Sequence, residues 1–355
     1  MGWSLSRFRA GDTVQVRSRE EILASLDEHG RLAGMPFMPE MLQFCGRRMT
    51  VAAVAHKACD TAGGTWQNRR LDATVHLLEA RCDGSAHDGC QAACNLFWRD
   101  EWLRPAGDAA GEDAAAAPGG TGCTEEQLQA ATRTPAEAGS EEERYACQAT
   151  QMFEATQNIP RWDVRQYVYD VTTGNRSAGR AGRVLAMAQL RWLRDSLPWA
   201  RRAIEPVGDA MHRWLSGRPA PSVHGRVPEG EKTPTGHLGL QPGEWVRIKS
   251  QDEIEETIDQ AGKNRGLWFD HEEMAPYCGR VAQVRDSVTQ IVHEPTGRMI
   301  RMKQPCIMLE SWARMYTRGA MRQSSPIVTS QHAMGSMITS PPTYVPWPIL
   351  VPRRR

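Results

Sequence analysis

Apolar positions along this chain fall into short alternating runs separated by glycine turns, and one such series is written twice. The first copy spans residues 10–47 (AGDTVQVRSREEILASLDEHGRLAGMPFMPEMLQFCGR), the second residues 242–280 (PGEWVRIKSQDEIEETIDQAGKNRGLWFDHEEMAPYCGR). Gly11 matches Gly243, and the register holds through Phe37 and Phe269. One inserted residue later, Cys45-Gly46-Arg47 matches Cys278-Gly279-Arg280. A repeat of this kind constrains the domain count before any local reading does. In the first copy, residues 12–17 alternate with Val14 and Val16 on one face, which predicts a strand. Ser18 followed by Glu21 forms a capping box that opens a short helix with Ile22, Leu23 and Leu26 apolar, broken by Gly30 and Gly34. Residues 35–39, Met-Pro-Phe-Met-Pro, read as a rigid apolar loop, and 48–54, 74–78 and 96–103 as further strands. The second copy repeats the pattern: a strand over 245–248, a cap at Ser250 and Glu253, strand-like runs over 281–285, 290–293, 299–302 and 306–309, and a turn over 294–297.

Short strands, one short helix and tight glycine turns predict a mainly β fold with helical insertions: two SH3-like small barrels, a helical middle segment and disordered linkers. The boundaries are residues 8–104 for the first repeat, 105–143 for a linker, 144–216 for the helical middle, 217–241 for a second linker and 242–310 for the second repeat. Residues 108–122 are almost wholly Ala, Gly, Asp, Glu and Pro, which cannot bury a core; the alternative over the part after Thr124 is a lone acidic helix. Residues 180–215 are amphipathic and basic, with Trp192, Trp199 and Trp214, and suit packing on the barrels, contact with a partner or a membrane surface, or, as the remaining reading, nucleic acid. Residues 311–355 are atypical: they hold no Asp, Glu, Lys or Cys, and their charge is all arginine. Either this is an authentic divergent tail or a frameshift replaced the true ending, which resequencing the gene decides.

Composition narrows the function classes. At 355 residues the chain has room for two or three domains. A net charge of +1 supplies no global field to recruit nucleic acid or an acidic substrate. No apolar run approaches a membrane span and the start lacks the apolar core of a signal peptide, so a cytoplasmic location is expected. In that compartment cysteines seldom pair, and clustered ones point to metal or redox work. No Walker loop, dinucleotide glycine fingerprint, Gly-x-Ser-x-Gly elbow or His-Glu-x-x-His appears. The carboxylate pairs Glu20-Glu21 and Glu272-Glu273 read as solvated surface groups.

The chemistry concentrates in the first repeat. Cys82-x4-His87-x2-Cys90-x3-Cys94 follows His56-x2-Cys59 and Cys45. A tetrahedral zinc site needs four such side chains. Cys59, Cys82, Cys90 and Cys94 make an all-thiolate set, with His87 or His56 as a substitute for one member. Asp83-Gly84 and Asp88-Gly89 are turn formers that let the chain fold around an ion. Thiolates also suit an iron–sulfur centre, and reactive thiols or simple buried cysteines remain open readings. His76 reads as a satisfied strand histidine, Cys45, Cys278 and Cys306 as core, Cys123 as an exposed linker residue, and Cys147 as packing.

The runs GDTVQVRSREEILASLD, MPFMPEMLQFCGRR, HKACDT and RCDGSAHDGCQAACNLFWRDEWL, with GEWVRIKS, MAPYCGR and KQPCIMLE from the second copy, resemble an uncharacterised bacterial family with no activity attached. The resemblance covers most of residues 8–104 and 145–310. It implies that the second copy also ends in a cysteine-bearing stretch closed by a Trp-rich strand, from which this chain departs after Glu310. The functional expectation is a zinc-binding tandem-repeat scaffold that grips a protein partner; the rival is a metal- or thiol-dependent redox enzyme.

Overall fold

The structure is a computed structural model that describes residues 3–59, 68–107, 121–134, 143–160, 163–197, 199, 206–208, 210, 225–228, 230–234, 238–264, 267–269, 274–310, 329–330 and 338–339. Strand exceeds helix, 31% against 25%. The chain forms two units: residues 1–220, 288–303 and 312–328 make the first, and residues 221–287, 304–311 and 329–355 the second.

In the first unit, β1 (Thr13–Val16), β4 (Arg48–Val54), β7 (Thr74–Arg81), β8 (Asn95–Arg99) and β9 (Leu103–Pro105) form an antiparallel sheet in the order β8-β7-β4-β1-β9, curled into a half-barrel. The alternation of β1 puts Val14 and Val16 wholly inside. Between β1 and β4 lie α1 (Arg19–Ser25), a hairpin of β2 (Arg31–Leu32) and β3 (Met35–Pro36), and a 3-10 helix (Pro39–Phe44). The capping box forms as the sequence predicts: Ser18 Oγ accepts from the Glu21 N–H at 3.2 Å, and the Glu21 carboxylate accepts from the Ser18 N–H at 2.7 Å. The core centres on Trp98 and Trp102, with Phe37 edge-on to both at 6.1 and 5.0 Å between centroids and Phe44 edge-on to Trp98 at 5.8 Å.

A three-stranded sheet of β5 (Lys57–Cys59), β6 (Asn68–Arg70) and β12 (Gln157–Asn158) and two helices, α4 (Arg165–Thr172) and α5 (Ala178–Ser196), complete the unit's frame. Asn175 ties the helical segment to β4: its Nδ2 donates to the Val54 carbonyl and its Oδ1 accepts from the Val54 N–H, both at 2.8 Å. Helix α5 covers part of the amphipathic run over 180–215; much of the remainder lies outside the described residues.

The expected linker over 105–143 is ordered in part. Helix α2 (Glu125–Ala130), capped by Thr124 and Gln127, sends Leu128 into the main core, where it is 1% exposed. Cys123, read as exposed, is buried beside it. One apolar residue at the right helical position anchors an otherwise polar segment, which composition averaged over the stretch conceals. Beyond α2, β10 (Arg133–Thr134) pairs with β11 (Arg144–Tyr145); residues 108–120 and 135–142 lie outside the described residues.

In the second unit, β13 (Trp245–Ile248) is followed by a short helix (Gln251–Glu255) with its capping box at Ser250 and Glu253, and by a hairpin of β14 (Lys263–Asn264) and β15 (Leu267–Trp268). The sheet to which β13 belongs also contains β16 (Val281–Val292), β17 (Met299–Leu309), β18 (Thr329–Ser330) and β19 (Ile338–Thr339), in the order β18-β17-β16-β13-β19. Strand for strand this is the order of the first sheet. The atypical tail contributes β18 and β19; its other residues lie outside the described ones. Among the described residues no helix is long and apolar enough to cross a membrane.

Candidate metal centre

The site is built at the end of the β7–β8 ladder. Thr74, Val75 and His76 face Arg99, Trp98 and Phe97; the ladder then slips, so that Arg81 faces Asn95. Glu79, in the irregular stretch, adopts φ 63°. A bulge of this kind re-aims the residues that follow it. One step past the strand ends, the Cys82 N–H donates to the Cys94 carbonyl at 2.9 Å, and the two cysteines stand opposite each other. Had the earlier register continued, Gln91 would face Cys82.

Residues 83–93 coil back on themselves. The His87 and Gly89 N–H groups donate to the Gly84 carbonyl at 2.9 and 3.0 Å, and the Cys90 N–H to the His87 carbonyl at 3.0 Å. Gly84, Asp88, Gly89 and Ala93 all hold positive φ, between 47° and 74°. Asp83 Oδ1 accepts from the Ser85 N–H and hydroxyl at 2.9 and 2.7 Å, the turn chemistry expected of Asp-Gly. From outside, Arg133 holds the Asp88 carboxylate at 2.8 Å and Gln290 Nε2 donates to the Asp88 carbonyl at 2.7 Å.

The third participant is Glu40, brought from the 3-10 helix that Pro39 opens. Its side chain is fully buried. The Cys82 thiol donates to Glu40 Oε1 at 2.9 Å. His87 Nε2–H donates to the Ala146 carbonyl at 3.0 Å, which turns Nδ1 toward Glu40 Oε1, 3.5 Å away. Ligand atoms of Glu40, Cys82 and His87 lie within 4.8 Å of one another. Glu40 Oε2 and His87 Nδ1 are buried with no hydrogen-bond partner. An unsatisfied buried polar atom costs about 1–3 kcal/mol, and a cation between these groups would satisfy both. Edges of a tetrahedral zinc site with these donors run about 3.3–3.8 Å; to seat an ion the Cys82–Glu40 contact would lengthen and any wider separation would shorten.

The group opens on a cavity of about 70 Å³ lined by Cys82, His87, Cys90, Cys94 and Cys147, with apolar walls that include Met38 and Met152. Cys90 Sγ accepts from the Val292 N–H at 3.2 Å. Cys147 reaches the cavity because its neighbour Gln148 is clamped: Nε2 donates to the Pro36 and Phe97 carbonyls, both at 2.9 Å, and Oε1 accepts from the Phe97 N–H at 2.8 Å.

Burial, then the Glu40 carboxylate and Cys94, push the Cys82 thiol far above its ordinary range. It is therefore a proton donor at neutral pH, and a metal would have to displace that proton. Burial alone would depress His87, but the Glu40 carboxylate and the Ala146 carbonyl outweigh it and the net shift is upward; at 3.5 Å the Glu40 contribution is charge attraction more than hydrogen bonding. Burial raises Cys147 to about 11.

Of the residues that the sequence singles out, Cys82, His87, Cys90 and Cys94 line one cavity. His56 makes its contacts elsewhere: Nε2 lies 3.2 Å from the Gln166 carbonyl and 3.3 Å from Asp170 Oδ1, beside Lys57, whose Nζ is 2.8 Å from Asp170 Oδ2. The Cys59 side chain lies outside the described residues. Glu40 and Cys147 escape the sequence reading. A lone carboxylate inside the apolar run Met-Pro-Glu-Met-Leu is the signal for Glu40, and the second copy places Glu273 before Met274 at the matching position. Nothing local marks Cys147, which depends on the docking of Gln148.

His76 donates from Nδ1 to the Leu96 carbonyl at 2.9 Å, and burial lowers its pKa to about 4. In the unfolded chain it titrates near the ordinary 6.5. Between these values the unfolded state binds the extra proton, so stability falls as pH drops from about 6.5 to about 4. Thermal melts across that window are expected to show a shallower decline for His76→Gln than for the parent; equal slopes would refute the assignment.

Among the described side chains, Cys45, Cys82, Cys90, Cys94, Cys123, Cys147, Cys278 and Cys306 are thiols rather than disulfides. Cys306 is buried, while Cys45 and Cys278 are half-buried. Comparison with protein-family models, with curated proteins and with solved structures returns no match to this chain.

Proposed function

We propose that the first unit is a metal-binding module that holds a single zinc ion through Glu40, Cys82 and His87, and that the chain acts as a binding or scaffold protein. The observation that carries this reading is the juxtaposition of three ligand-type atoms with two buried polar atoms, Glu40 Oε2 and His87 Nδ1, that nothing else satisfies. A mixed O, S, N donor set suits zinc. The fourth position falls to water. Zinc there would join the 3-10 helix, the end of β7 and the loop 83–93, and so supply folding energy.

The matching strand orders support reading the sheets as two small barrels of the SH3-like kind, the structural counterparts of the sequence repeat. Two such modules on one chain would grip a protein partner twice and gain avidity through effective concentration. A reducing, cytoplasmic setting fits a cavity of thiols.

The test is metal analysis of purified full-length protein with a visible absorption spectrum and a thermal melt. About one zinc per chain is expected, lost on chelation together with stability, and lost in Cys82→Ser and in His87→Ala. Loss of zinc in Glu40→Gln as well would identify the carboxylate as a ligand. Full zinc occupancy in all three variants would overturn the reading. The four cavity thiols, Cys82, Cys90, Cys94 and Cys147, favour a second reading, an iron–sulfur redox centre; iron, sulfide and visible absorption would select it.

A further inference from the structure

The metal reading rests on one thiol, Cys82, and that thiol has another directly across the ladder. Resting on that reading, we propose that the centre is redox-gated: under a peroxide, Cys82 and Cys94 join as a disulfide and the ion leaves.

Three features of the structure converge on this pair. The register after the bulge sets Arg81 against Asn95, and the next step is closed by the Cys82 N–H to Cys94 carbonyl bond at 2.9 Å. Directly opposed residues of an antiparallel pair that share a hydrogen bond have Cα atoms about 5.5 Å apart. That separation lies inside the range of about 4.4–6.8 Å that a disulfide spans. Opposed residues also project their side chains to the same face, and both cysteines line the same cavity. Each is half-buried, so a small oxidant reaches them without unfolding the unit. Finally, Cys82 is the only sulfur in the three-residue group, among the described residues. Removing it leaves Glu40 and His87, a two-ligand remnant that binds a divalent ion weakly. One sulfur thus serves two exclusive states, metal-bound and disulfide-bonded.

The chemistry balances with hydrogen peroxide as the oxidant. The Cys94 sulfur attacks one peroxide oxygen, the O–O bond breaks, and the leaving hydroxide takes the thiol proton as water, with Cys94 left as a sulfenic acid. The Cys82 sulfur then attacks the Cys94 sulfur; the S–S bond forms, the S–O bond breaks, and the second oxygen leaves as water. Two thiols lose two electrons to the peroxide, which is reduced to two waters. When Cys82 starts as a metal-bound thiolate, the ion is released and the second water draws its proton from solvent. A dithiol reductant reverses the step and restores the site.

The experiment uses zinc-loaded full-length chain, hydrogen peroxide and a chromophoric zinc indicator, with peptide mapping under alkylating conditions. The expected result is zinc release in step with a Cys82–Cys94 disulfide, reversed by dithiothreitol. Cys94→Ser is expected to keep its zinc and to release it about tenfold or more slowly at the same peroxide dose, whereas Cys147→Ser is expected to behave as the parent. Release from Cys94→Ser at the parental rate, or protection by Cys147→Ser instead, overturns the gating while leaving the metal reading intact. A parent chain that holds no zinc before oxidation overturns the metal reading and the gating with it. If Cys94→Ser binds no zinc, the map of the oxidised parent decides: a Cys82–Cys94 disulfide supports the proposal, and any other product at Cys82 refutes it.

Discussion

Gly84→Ala is expected to collapse the metal loop. A Cβ at this position would lie 1.9 Å from the Cys90 carbonyl oxygen and 2.7 and 2.8 Å from the Cys90 carbonyl carbon and nitrogen, all backbone atoms that no rotamer change moves. The residue also holds φ +72°, which a side chain makes costly. Strain of about 1–3 kcal/mol and overpacking of about 1–3 kcal/mol add to a loss of roughly 2–6 kcal/mol, unless residues 83–93 unwind. Unwinding would withdraw His87 from Glu40, so zinc occupancy is expected to fall with stability. Gly46→Ala is the control: φ is +74° there, but a Cβ would meet nothing within 4 Å, so strain alone, about 1–2 kcal/mol, applies. Urea unfolding and zinc content of both variants make the comparison. If Gly84→Ala matches Gly46→Ala in both, the loop is not wound as described.

Asp170→Ala is expected to destabilise the first unit by about 3–5 kcal/mol, because it leaves buried cations without a counter-charge. Asp170 has a side chain 2% exposed and lies 2.8 Å from Lys57 Nζ, 3.3 Å from His56 Nε2 and 3.9 Å from Arg176 Nε. Burial would raise its pKa, but the neighbouring His56 and the Lys57 charge outweigh burial and hold it below the ordinary 3.8. Its contribution is therefore present above that ordinary value and fades as pH falls through the lowered folded value. Equilibrium unfolding of parent and variant is expected to differ fully at neutral pH, and the difference to shrink only as pH falls below about 3.8 toward the lowered folded value. Lys57→Met added to Asp170→Ala should recover part of the loss, since it removes the orphaned charge as well. A variant as stable as the parent at neutral pH would show that water reaches the cluster and screens it.

Both predictions concern parts that differ in how far the sequence discloses them. Alternation in residues 12–17 and the Ser18–Glu21 and Ser250–Glu253 caps are local signals, set by side-chain periodicity and by one hydrogen-bond exchange, and they read directly from the chain. The cysteine–histidine run is equally legible, because residues 82–94 are near neighbours whatever the fold. What their chemistry amounts to is not local. The slip in the β7–β8 ladder decides that Cys82 faces Cys94 rather than Gln91, and a register shift has no signature in composition. Glu40 and Cys147 join the cavity from segments far apart in sequence, through a 3-10 turn and a clamped glutamine. His56, close to the cysteines in sequence, is drawn instead to Asp170 on α4. Leu128 turns part of an apparent linker into core.

The sequence by itself thus determined the mainly β character, the doubled pattern of strand, cap and turn, and the ligand-type residues available to a metal. Tertiary structure alone decided which of those residues meet. Spacing along a chain constrains only neighbours, whereas a buried centre is assembled by long-range packing that places each side chain from a different element.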